Sequence, residues 1–277
     1  MTPTVPLTRL SAVWIQVTGT WCNLRCTHCL NASGPVDPWL APMAADEVRW
    51  HVEEAARLGV REVYFTGGEP FLHPRILELL GHALERLPAT VLTNGTLITE
   101  RVADRLADLA DRSRYSLEVR VSLDDPDREA NDRVRGPGAF DRALRAIARL
   151  QRRGLPAILT ATDLGSPALY ERLRTLLRGA GVSKPRVKLL PLFPVGRAPN
   201  AGPPLDAGEV DGRDLGRLQC ADSRTITAGG IYACPILAGL PEARLDASAL
   251  AQARSPVALT HAACRVCVET GASCRNA

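Results

Sequence analysis

The chain has 277 residues, 45% of them apolar, and a formal net charge of +4, enough to bury the core of one large α/β domain with or without a small appendage. The modest charge is spread along the chain, which excludes a nucleic-acid footprint, and the basic residues are nearly all arginine, with only Lys184 and Lys188 as lysines. No apolar run approaches the roughly 20 residues of a membrane span and no signal peptide opens the chain, so a cytoplasmic protein without membrane or nucleic-acid partners is expected.

The apolar run Ala12 to Val17 predicts a first strand, which leads into Cys22, Cys26 and Cys29, separated by three and then two residues. After a connector carrying Pro35, Pro38 and Pro42, Val48, Val52 and Ala55 give helical spacing over Asp46 to Leu58, stopped by Gly59. Val63 to Phe65 is a short buried strand that runs into Gly67, Gly68, Glu69 and Pro70. A helix from near Pro74 carries Ile76, Leu79, Leu80, Ala83 and Leu87 on one face. The alternation continues with a strand at Thr90 to Leu92 and a helix bearing Val102, Leu106 and Leu109. Next come a strand at Leu117 to Leu123, a helix with Phe140, Leu144 and Ile147, and a strand at Ala157 to Leu159. A helix with Leu169, Leu173 and Leu176 and a strand at Val187 to Leu190 complete six strands.

Alternating units imply parallel strands joined by right-handed crossovers. The predicted fold is α/β: a partial (β/α)6 TIM-like barrel over residues 1–200, with a doubly wound open sheet as the competing architecture. In such barrels chemistry sits at the carboxyl ends of the strands, where all the candidate motifs fall. From Gly196 to Gly216 the chain is rich in Gly, Pro and Asp, which marks a boundary. Residues 201–277 are expected to form a small extension: a β-hairpin over Arg224 to Cys234, a short helix around Asp246 to Ala253, then Cys264, Cys267 and Cys274.

The eight cysteines fall in two groups, with none between Cys29 and Cys220. In a reducing compartment this distribution points to two metal centres rather than disulfides. Three thiolates also leave one corner of a four-iron cluster without a protein ligand, free to bind something that reacts.

The CX3CX2C loop with His28 before its last cysteine, set at the end of a first strand and followed by Gly-Gly-Glu-Pro after a second, resembles the signature of radical S-adenosylmethionine (SAM) enzymes. The resemblance implies that Cys22, Cys26 and Cys29 hold a [4Fe-4S] cluster whose fourth iron is chelated by the amino and carboxylate groups of SAM. Reductive cleavage then gives methionine and a 5′-deoxyadenosyl radical, which abstracts hydrogen from substrate. Gly67, Gly68, Glu69 and Pro70 match the motif that binds the SAM amino group, with glycines for close approach and Glu69 for the ammonium. Ser122 and Asp124 lie two apart on one strand face and resemble the ribose contacts. Thr93 and Asn94 resemble the polar end of the third strand, and Gly196-Arg197-Ala198 a segment near the SAM site. Plainer readings stay open: Asp124 as a helix cap, Asn94-Gly95 as a turn, Arg197 as a solvated loop residue. His28, His51, His73, His82 and His261 are scattered and none is assigned as ligand or base.

The tail, with Cys220, a glycine-containing hairpin, Cys234, Cys264-X2-Cys267 and Cys274, resembles the auxiliary-cluster extensions known as SPASM and Twitch domains. The resemblance implies one auxiliary [4Fe-4S] cluster, with Cys220, Cys234, Cys264 and Cys267 as the preferred set. Cys274 then replaces one of these, stays idle, or donates a hydrogen atom to a substrate radical. A structural zinc is the alternative, since four-cysteine sites with CX2C spacing also bind zinc.

The leading expectation for activity is oxidation of a small molecule resembling an aminocyclitol or sugar, helped by the auxiliary cluster. Radical modification of a ribosomally made peptide is the second, by crosslinking, epimerisation or decarboxylation. Cofactor biosynthesis on a nucleotide or tetrapyrrole is the third; there Arg186, Lys188 and Arg197 would suit carboxylates or phosphates. A reducing partner such as flavodoxin or ferredoxin is implied. From a different class, the chain would be an iron-sulfur electron carrier or sensor, but a carrier needs no SAM site.

Overall fold

A computed structural model describes residues 2–198 and 202–274. Side-chain alternation along each strand builds two cores. In β2 (Ala12–Gln16), Val13 and Ile15 face outward into one apolar cluster, while Ala12 and Trp14 face inward into another. The outer cluster takes its other half from the helices. Val48 and Val52 come from α1 (Ala45–Arg57), Leu79 and Leu80 from α2 (Ile76–Leu84), and Leu106 from α3 (Glu100–Arg112). Ile147 comes from α5 (Ala139–Arg152) and Leu173 from α6 (Leu169–Gly179).

β2 pairs with β3 (Glu62–Thr66), β3 with β4 (Ala89–Thr93), β4 with β5 (Leu117–Ser122), β5 with β6 (Ile158–Asp163) and β6 with β7 (Arg186–Pro191), every pair parallel. Because the order never reverses, right-handed crossovers keep the helices on one face. A doubly wound sheet would reverse at a switch point and carry helices on both faces. The fold is therefore the partial barrel, and its strands lie within a residue of those read from the sequence, except that β6 runs on four residues past the expected end, to Asp163.

The sheet is larger than six strands. β8 (Ser223–Thr227) adds to the free side of β2 in parallel, with Val13 opposite Arg224, and β9 (Gly230–Tyr232) returns antiparallel to β8. The eight-stranded sheet thus runs on from the barrel into the tail, with β7 and β9 at its edges. β1 (Thr4–Val5) pairs antiparallel with β10 (Val257–Ala258), which ties the segment before the barrel to the tail. The inner cluster joins Trp14, Tyr64 and Phe193 of the barrel to Ile236, Leu237 and Ala263 of the tail. Trp14 stacks on Tyr64 with ring centroids 4.1 Å apart.

Two local expectations need correction. An eight-residue helix, α4 (Arg128–Arg135), precedes α5 and is absent from the sequence reading. It has no apolar stripe and is set instead by its ends: the Asp127 side chain accepts from Ala130 N at 2.8 Å, and Gly136 follows its last residue. The helix expected around Asp246 to Ala253 is a series of turns. Side chains have taken the backbone groups that helical bonds would use: Ala251 N donates to Glu54 Oε1 at 3.1 Å, and Ala253 O accepts from Arg224 Nε at 2.8 Å. No helix among the described residues is long and apolar enough to cross a membrane.

Candidate functional site

The loop after β2 carries the first three cysteines across the carboxyl end of the barrel. Cys22 is held by its amide, which donates to Gly34 O at 2.9 Å, and its sulfur accepts from Leu24 N at 3.4 Å. The Cys29 sulfur accepts from Ser33 N at 3.3 Å. Burial pushes the Cys22 thiol up to about 12 and raises Cys26 too, although Arg135 beside Cys26 works the other way. Ligation of a metal has to expel these protons.

Gly68 lies under this loop. A Cβ there would stand 2.1 Å from Trp21 O and 2.8 Å from the Cys22 Cβ, so only glycine lets the β3 turn meet the cysteine loop. Gly196 does the same from the other side, since its Cβ would lie 2.2 Å from the carbonyl oxygens of Cys29 and Leu30. Arg197 then clasps the loop, with Nη1 donating to Cys26 O at 2.7 Å and Nη2 to Ala32 O at 2.8 Å and to Ser33 O. It acts on the back of the loop and does not line the central cavity.

That cavity, about 220 Å³, is lined by Cys22, Cys26 and Cys29, by Gly67 and Gly68, and by Asn94 and Ser122. Glu69 and Pro70 lie behind it. Glu69 is fully buried, and its carboxylate accepts from Asn94 N at 2.7 Å, Thr93 Oγ1 at 2.8 Å and Phe71 N at 3.1 Å. Burial outweighs these bonds and raises its pKa to about 7. The carboxylate therefore ties the β3 turn to the end of β4. Asn94, so placed, reaches Asn23 Oδ1 at 2.9 Å with its side-chain amide.

Asp124 is likewise engaged by protein. It accepts from His28 Nε2 at 2.7 Å, from Arg135 Nη2 at 3.0 Å and from Thr162 N at 2.8 Å, with Arg135 Nε also 2.7 Å away. Burial acts to raise its pKa, but the Arg135 charge and the His28 bond hold it far below the usual carboxylate range. The residues Asp124 positions, His28 and Arg135, do line the cavity. Sequence reasoning left both unassigned; the pattern Asp127 to Gly136 around α4 was the available signal. Arg120 was missed as well: it is buried on β5, lines the cavity and lies 5.4 Å from the Tyr64 ring centroid.

The tail cysteines separate into four and one. Cys220, Cys234, Cys264 and Cys267 line one small cavity whose other walls include Leu218, Ile236, Leu237 and Leu259. Cys264 and Cys267 come from one face of α7 (Ala262–Thr270). Burial pushes Cys220 up to about 12 and raises Cys234, Cys264 and Cys267 as well. Cys274 instead lines the central cavity, clamped by Cys274 N donating to Gln219 Oε1 at 2.8 Å and by Arg120 donating to Cys274 O. Ile236 lines both cavities and forms the wall between them.

Among the described residues no group of three or more His, Cys, Asp or Glu is disposed to hold a metal ion. The three thiols on the central cavity and the four on the tail cavity are buried or half-buried and are the soft donors that iron-sulfur clusters take, so both sets fit such ligation in donor type; four cysteines of this kind also suit zinc.

The family model described as the radical SAM superfamily matches residues 17–176. Among curated relatives, mycofactocin maturase MftC of Mycobacterium tuberculosis is 36% identical over 138 residues, covering 50% of this chain and 34% of its own length. The AdoMet-dependent heme synthase of Methanosarcina barkeri is 32% identical over 143 residues, 51% of this chain and 39% of its own. The matched segment thus spans between a third and two-fifths of these relatives. Among solved structures, Streptococcus suis SuiB bound to precursor peptide SuiA superposes with a TM-score of 0.68 at 17% identity, covering 90% of this chain and 66% of that one.

Proposed function

The chain belongs to the radical SAM superfamily, and from that premise we propose that it modifies a ribosomally made peptide held in the cavity between Cys22, Ser122 and Arg120. The family's [4Fe-4S] cluster and SAM supply, when bound, a 5′-deoxyadenosyl radical by reductive cleavage. We assign Cys22, Cys26 and Cys29 as cluster ligands and Gly67 and Gly68 as the close backbone for the methionine end of SAM. Arg135, on the cavity wall beside Cys26, suits its carboxylate, and Ser122 its ribose. Glu69 and Asp124 position these groups from behind. The observation that carries the reading is that the ends of β2, β3, β4 and β5 bring these residues to one cavity.

The reduced, reconstituted protein is expected to form 5′-deoxyadenosine, and serine at Cys22, Cys26 or Cys29 to abolish it. Formation by a serine variant would sink the assignment. Such turnover also separates an enzyme from an electron carrier. In the cell a one-electron donor such as flavodoxin or ferredoxin fills the place of the chemical reductant.

Peptide as substrate draws support from a maturase among the relatives and from the shared fold of SuiB, whose complex holds a precursor peptide. A second reading, cofactor synthesis on a tetrapyrrole, draws on the heme synthase relative and on Arg120 at the cavity wall, which suits a carboxylate. Small-molecule oxidation gains no support from these relatives. Co-expression with short peptides encoded nearby, followed by mass spectrometry, tests the first reading. Unchanged peptides together with turnover of a porphyrin would establish the second instead.

For the tail we assign Cys220, Cys234, Cys264 and Cys267 to an auxiliary [4Fe-4S] cluster. Cys274, facing the central cavity, is assigned as hydrogen donor. Its S–H hydrogen passes to a carbon radical of the substrate, and one electron from the reducing partner plus a proton restores the thiol.

A further inference from the structure

Arg224 lies on β8 between Cys220 and Cys234 in the chain and is 0% exposed. Its guanidinium donates through Nε to Ala253 O at 2.8 Å, through Nη1 to Cys220 O at 2.7 Å and Ser223 O at 2.8 Å, and through Nη2 to Ser255 O at 3.2 Å. Every one of these acceptors is a neutral carbonyl. Among the described residues no carboxylate forms an ion pair with it, whereas the buried guanidinium of Arg135 has Asp124 at 2.7 Å. Carbonyls satisfy the donors, but they leave a whole positive charge out of water without a counter-ion, which proteins rarely tolerate.

The missing negative charge has an obvious location. The guanidinium grips the carbonyl of Cys220, and the acidic groups that raise its pKa against burial are the thiols of Cys220 and Cys234. Those two thiols belong to the four that surround the tail cavity, whose remaining walls include the apolar Leu218, Leu237 and Leu259. As thiols they are neutral. Four thiolates on an oxidised four-iron cluster carry a net charge of about −2, and one-electron reduction takes this to about −3.

We propose that Arg224 is the built-in counter-cation of an anionic iron-thiolate centre on Cys220, Cys234, Cys264 and Cys267, favouring its reduced form. This rests on reading the tail cavity as a cluster site. It also gives the β2–β8 pairing a second role, because the strand that extends the barrel sheet carries the charge that tunes the tail centre.

The test uses the full chain with Cys22, Cys26 and Cys29 all replaced by alanine, so that only the tail centre is loaded. About four irons per chain are expected; zinc or no metal in this background overturns the cluster reading itself, whatever Arg224 does. With iron in place, R224Q should lower the reduced-to-oxidised ratio at a fixed poised potential at least tenfold, or 59 mV for one electron, while R224K stays within about threefold. A ratio unchanged in R224Q with full iron overturns the role of Arg224. Should R224Q not retain its cluster, melting temperatures with and without iron decide. A counter-cation predicts that R224Q narrows the stabilisation conferred by iron, and an equal loss in both forms would mean a purely structural arginine.

Discussion

His28 Nε2 lies 2.7 Å from Asp124 Oδ2, so the residue before the last cysteine of the loop is tethered to the end of β5. Arg135 of α4 holds the same carboxylate. Asp124→Asn leaves the buried Arg135 charge without its partner, and the apo protein is expected to lose about 3–5 kcal/mol in urea unfolding at pH 7. The pH dependence follows from the sign of the shift. A folded pKa held below the ordinary value stabilises above about pH 4 and is lost as pH falls from there. Wild-type stability should thus fall more steeply than that of Asp124→Asn between about pH 5 and pH 3.

Glu69 shifts the other way. Burial outweighs its three hydrogen bonds and takes its pKa up to about 7, so the folded state holds a proton that the unfolded chain releases at about 4.3. Its contribution is present below about pH 4 and is lost as pH rises to about 7. Glu69→Gln, which keeps the size and one acceptor, is expected to flatten that decline in the apo protein. Parallel wild-type and variant profiles across the window would count against a protonated Glu69.

The strands were legible because period-two alternation is local: Val13, Ile15 and Val63 needed only to face away from Trp14 and Tyr64. The cysteine spacing and the glycine pair were legible for a similar reason, since close backbone approach demands a residue type. The aim of a side chain was not. Glu69 and Asp124 were expected to meet ligand, and their oxygens also hold Asn94 N, Thr93, His28 and Arg135, partners 11 to 96 residues distant in sequence that no local pattern specifies. Nor did any local pattern announce that Arg224 would join β2 or that Arg120 would reach Cys274, because both follow from the tail folding back across the barrel.

Gly68→Ala tests whether the β3 turn supports the cysteine loop. The added methyl meets backbone at Trp21 O, which cannot swing aside as a flexible side chain would. Overpacking of this kind costs about 1–3 kcal/mol. Because the loop and the turn must part, the larger effect is expected on the first centre: iron after anaerobic reconstitution should fall by roughly half, the loss of one of two clusters. Retention of all iron with unaltered 5′-deoxyadenosine formation would show that the loop accommodates the methyl.

Cys220→Ala and Cys274→Ala make opposite demands. Cys220 shares a cavity with Cys234, Cys264 and Cys267, so its loss should remove the auxiliary centre and about half the iron. Cys274 faces the central cavity, where burial raises its pKa to about 11 against the pull of Lys188 and Arg120, keeping it a neutral thiol with its hydrogen at neutral pH. Its alanine variant is therefore expected to keep full iron and to cleave SAM within about threefold of wild type. The difference should appear in the product: in deuterated water the wild type delivers deuterium to the substrate carbon through the exchangeable S–H, and the variant does not. If iron is lost instead, Cys274 is a ligand and one of the other four is spare; if iron and deuterium are both unaffected, the thiol is a wall of the cavity and takes no part in the reaction.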